Sequence, residues 1–170
     1  MADVTPTTES GKAMVNLKNL FAESGTFQTA IGAEGETDAK IALAKTKIHL
    51  TAYKGSGTYS RPFVIIMRNT NEKISGAGLG SFVYGGDLEV RFERDISQAH
   101  ADDPDNAELD FVNFYETVMT ECMAKGLLPG YFVINTYSII EGPMQYEKEK
   151  TPGVFIFGVR LNVNWGVEPS

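Results

Sequence analysis

The spacing of apolar positions along the chain changes several times, and each change marks an element. Over residues 12–23, Met14, Leu17, Leu20 and Phe21 recur every three or four positions and form one helical stripe. Ser24-Gly25 interrupts it, residues 27–31 give another short turn, and 32–36 read as a loop. Thr37 is placed to cap a third short helix through Leu43. Near Lys47 the period drops to two. Ile48, Leu50 and Ala52 alternate with His49, Thr51 and Tyr53, as in a half-buried strand. Residues 54–60 contain no core residue and predict an exposed loop. The apolar run Phe63-Val64-Ile65-Ile66-Met67 within 61–68 predicts a strand buried on both faces, with Pro62 tolerated at its start.

Residues 69–86 are broken by Gly76, Gly78, Gly80, Gly85 and Gly86 and read either as a loop or as a twisted strand pair around 81–84. A clean strand follows over 87–96. Leu88, Val90 and Phe92 face a core, while Asp87, Glu89, Arg91 and Glu93 form a charged outer row. An acidic loop over 97–104 then leads to the longest helical pattern, residues 105–126. Phe111, Tyr115, Val118 and Cys122 recur at helical spacing with Val112 and Met119 beside them. Asp105 and Glu108 have the form of a capping box, Lys125 suits the negative end of the dipole, and Gly126 can end the helix. Beyond a turn at 127–130, residues 131–140 predict a strand broken by Glu141-Gly142-Pro143, and 144–152 a charged excursion at the top of a hairpin. Over 153–165, Phe155, Phe157, Val159, Leu161, Val163 and Trp165 alternate with Ile156, Gly158, Arg160, Asn162 and Asn164.

Helices, strands, one long helix and strands again predict an α+β fold: a mainly antiparallel sheet with the long helix packed on it and short N-terminal helices. Residues 1–11 lack an apolar period and read as a mobile tail, and 12–170 as a single domain.

Charge and composition narrow the function. The formal net charge of −7 and the absence of any basic run argue against binding nucleic acid through its phosphates. No stretch approaches a membrane span, and the first residues lack the basic and apolar regions of a secretory signal, so a cytosolic origin is expected. The single cysteine, Cys122, lies on the apolar side of the long helix and reads as a small core residue.

Candidate chemistry is sparse. The glycines at 76, 78 and 80 precede Phe82-Val83-Tyr84, which favours strand over the helix that a dinucleotide fingerprint requires. Asp102, Asp103, Asp105 and Glu108 lack the glycine of a calcium loop. His49 and His100 show no metal spacing and no triad context. A carboxylate pair of the glycosidase kind stays open, since any two acids can meet in space. Neither an enzyme nor a cofactor or metal site is expected. The candidate functional residues are those of two polar strand faces where subunits can meet: Asp87, Glu89, Arg91 and Glu93, and Arg160, Asn162 and Asn164.

Several short runs together resemble the phage tail terminators, ring-forming proteins that cap the tail tube of long-tailed phages. They are Phe27-Gln28-Thr29-Ala30-Ile31-Gly32, Ala44-Lys45-Thr46-Lys47-Ile48, Arg61-Pro62-Phe63-Val64-Ile65-Ile66 and Gly86-Asp87-Leu88-Glu89-Val90, joined by Asp110-Phe111-Val112-Asn113 and Leu161-Asn162-Val163-Asn164-Trp165-Gly166. The likeness spans most of the chain from about Val15 onward. It implies a homohexameric ring, assembled in the host cytoplasm and located in the neck of the virion, that ends tube polymerisation. Its partners would be other copies of the chain, the tail tube protein and a head-completion protein, with DNA passing through the lumen without specific binding and no membrane involved. It brings no catalytic residue and no cofactor. Head-completion and baseplate proteins with similar small α+β domains are the alternative within phage structure. A monomeric ligand-binding domain is the alternative outside it.

Overall fold

The computed structural model describes residues 5–51, 59–68, 73–76, 82–96, 102–125, 132–148 and 151–166. Helices α1 (Glu9–Ala22), α2 (Gly25–Ala30) and α3 (Thr37–Thr46) come first. Strands β1 (Ile48–His49), β2 (Phe63–Arg68), β3 (Lys73–Gly76) and β4 (Phe82–Asp95) follow. The long helix α4 (Pro104–Lys125) leads to the hairpin of β5 (Phe132–Lys148) and β6 (Thr151–Gly166). The fold is α+β. The sheet order is β1-β2-β4-β6-β5, with β3 also beside β4. All pairings are antiparallel except β1 with β2, so the sheet is mixed at that edge. Residues 50–62 between these two strands are long enough for the return that a parallel pair requires.

Strand β4 is the spine, because its alternating residues have partners on both sides. Val90 stands between Ile66 and Val159, and Phe92 between Val64 and Phe157. These side chains are buried on one face, together with Leu88, Leu161 and Val163. The stripe of α4 closes over them. Phe111 stacks on Phe155 at 5.0 Å and Tyr115 on Phe157 at 3.6 Å between ring centroids. Phe92 meets Phe114 of α4 and Phe21 of α1 edge-on, which joins the two helices into one core. Leu17, Leu20 and Phe21 of the predicted first stripe are fully buried there. Burial, reinforced by nearby Glu116, pushes the Tyr115 hydroxyl above its ordinary pKa.

Local chemistry moves several predicted boundaries. Helix α1 starts at Glu9 rather than after residue 11, because Thr8 accepts a hydrogen bond from the Gly11 N–H and caps it earlier. In α3, Glu36 and not Thr37 is the capping residue, and its side chain makes no capping bond. Helix α4 is capped by Asp103, not Asp105. The Asp103 Oδ1 accepts from the Asn106 N–H at 3.2 Å, Pro104 takes the first helical position, and Asp105 lies in the first turn. Strand β1 is shorter than its alternating pattern, ending at His49.

Glu141-Gly142-Pro143 does not break β5. Register shifts between Ile139 and Glu141 and between Glu141 and Met144 absorb these residues as bulges in a continuous edge strand, where a missing N–H is tolerated. The glycine-rich segment does contain a strand pair, β3 with β4. Ile156, expected on a small polar face, is buried. The predicted loop over 54–60 lies outside the described residues except for Tyr59 and Ser60, as do Gly126 and the turn at 127–130.

Two measurements check this core. Val118→Asp places a charge at a fully buried position and should abolish the cooperative thermal transition, a loss of more than about 3 kcal/mol. Asp103→Ala should cost about 1 kcal/mol in chemical denaturation, while Glu108→Ala should change stability by much less.

Candidate functional site

The helices cover one face of the sheet. The alternation that sends Leu88, Val90 and Phe92 toward α4 sends Asp87, Glu89, Arg91 and Glu93 to the other face. The same parity places Arg160, Asn162 and Asn164 of β6 there. Register then brings the two candidate sets into one surface. Asp87 lies opposite Asn162, Glu89 opposite Arg160, Arg91 opposite Gly158, and Gly85 opposite Asn164.

The facing groups interact. Arg160 Nη2 donates to Glu89 Oε1 at 3.0 Å, and Asn162 Nδ2 donates to Asp87 Oδ1 at 3.0 Å. Asn135 of β5 extends the row by donating to Asn162 Oδ1 at 3.0 Å. Arg91 Nε lies 3.1 Å from Glu93 Oε1 in an ion pair whose geometry is too bent for a hydrogen bond. Arg61 approaches the same carboxylate from the start of β2, with Nε 3.4 Å from Glu93 Oε2 and Nη1 3.5 Å from Asp95. The Nε groups of Arg91 and Arg160 are both covered and without hydrogen-bond partners. At Gly85 a Cβ would stand 2.8 Å from the Asn164 amide oxygen, so glycine there leaves room for Asn164. The result is a braced ladder of alternating charge across three strands.

Toward β1 this face becomes aromatic. His49 pairs in register with Ile65 and stacks on Tyr59 at 3.6 Å, with Phe63 edge-on to both rings. Sequence spacing places His49 on a strand and Tyr59 in a loop. The cluster was not visible because its members are brought together only by the β1–β2 pairing.

A second feature lies on the helix side. Glu121 of α4 accepts from Ser24 Oγ at 2.6 Å, Thr26 Oγ1 at 2.7 Å and the Thr26 N–H at 3.3 Å. Ser24 Oγ in turn accepts from the Phe27 N–H, so the α2 cap and α4 are tied by one carboxylate. Partial burial of Glu121 opposes its ionisation. The hydrogen bonds from Ser24 and Thr26, with the charge of Lys125 nearby, outweigh it and hold the carboxyl below its ordinary range. Lys125 Nζ also donates to the Glu23 carbonyl. Beside this clasp a groove of about 590 Å³ is lined by Thr26, Thr29, Arg94, Asp110, Asn113 and Glu121. Arg94 is occupied within it by Asp110 at 2.9 Å and by the face of Phe114. The sequence read Ser24-Gly25 only as an interruption; Ser24 and Thr26 lie 97 and 95 positions before Glu121, and no spacing rule connects them to it.

Cys122 is buried in the core, where burial together with Glu121 pushes its thiol up to about 12. Among the described residues, no three His, Cys, Asp or Glu side chains gather where they could hold a metal ion. No described helix is long and apolar enough to cross a membrane. His100 and the glycines at 78 and 80 lie outside the described residues. Comparison with known protein families and with curated proteins finds no match for the chain.

The lowered Glu121 pKa sets the sign of a pH effect. The clasp should contribute fully above the ordinary carboxylate pKa of 4.5 and be lost as pH falls through the lower folded value. Glu121→Ala should therefore destabilise by about 1–2 kcal/mol at neutral pH, with the gap to wild type closing below pH 4.5 in denaturation curves.

Proposed function

We propose that the protein is a structural component of a phage tail. It associates with copies of itself into a ring at the head-proximal end of the tail tube, ends tube growth there, and offers a docking surface to head-completion proteins. The resemblance implies six copies. The observation that carries this reading is the sheet face away from the helices. Asn162 and Asn164 are exposed there and Asp87, Glu89, Arg91 and Arg160 half-buried, while Ile65 and Ile156 toward its other end are buried, and its charges are held in place by cross-strand bonds rather than left on free side chains. A surface of fixed, alternating charge suits recognition of a complementary surface, because its order is set before contact.

The charge balance fits passage of DNA through such a ring. Six copies at −7 each carry about −42 in total, and an acidic lumen would repel the phosphate backbone.

The ladder is suited to assembly more than to folding. Its Arg160–Glu89 pair is between side chains 42% and 27% exposed, and pairs of that kind contribute at most about 1 kcal/mol. Arg91→Glu and Arg160→Glu should each lower the melting temperature by only a few degrees and yet block incorporation into tails, scored by electron microscopy. Loss of the gene should leave overlong or headless tails. Joined tails of normal length in its absence would contradict the reading.

A further inference from the structure

We draw no further inference here: the strongest candidate, the exposed run from Asn135 to Ile140 on the edge strand β5 with Tyr137, Ile139 and Ile140 as its large apolar members, carries nothing, because nothing in the structure shows what covers it.

Discussion

The stack of Tyr115 on Phe157, with Phe111 on Phe155 one turn earlier, is the contact on which the rest of the structure depends. It fixes the long helix over β6, and through Phe92 and Phe114 over β4, so that Val90, Phe92, Phe157, Val159 and Leu161 are all buried on the helix side. Aromatic rings bring large buried area and a preferred geometry at once, which makes the helix position specific and not merely favourable. The short N-terminal helices complete the layer. Phe21 reaches the same Phe92 ring, and the Glu121 clasp ties the α2 cap to α4.

The consequence is a one-sided molecule. A strand that turns every second residue toward a helix must turn the others away, and on β4 from Asp87 to Asp95 and on β6 from Arg160 to Asn164 those others are charged or amide-bearing. Pairing across the strands gives them partners without removing them from the surface. The surface is thereby ordered but not consumed, and its pairs add little to stability. Under the proposed reading, folding and association use different faces of the same strands. The sheet's two edges are unequal as well: β1 is two residues long and flanked by α3, whereas β5 is long and exposes apolar side chains.

Much of this was legible in the order and spacing of residues. The stripe of α4, the buried run of β2 and the alternation of β4 and β6 each follow from a single periodicity that burial then enforces. Asp87, Glu89, Arg91 and Glu93 and the set from Arg160 to Asn164 were recognisable as polar faces, but only strand register brings Glu89 to Arg160 and Asp87 to Asn162. Features set by one local bond were misplaced. Asp103 displaced Asp105 as the cap because Pro104 can take the first helical position, and bulges let β5 run through Pro143. Features that join distant segments were invisible, as with Glu121 reaching Ser24 and Thr26, or His49 stacking on Tyr59.

The claim that these faces serve a ring at the end of a tail tube is tested most directly by locating the chain in the virion. Gold-labelled antibody against this protein, viewed on intact particles by negative-stain microscopy, should mark the head–tail joint alone. Label along the tube, at the baseplate, or absent from particles would contradict the account.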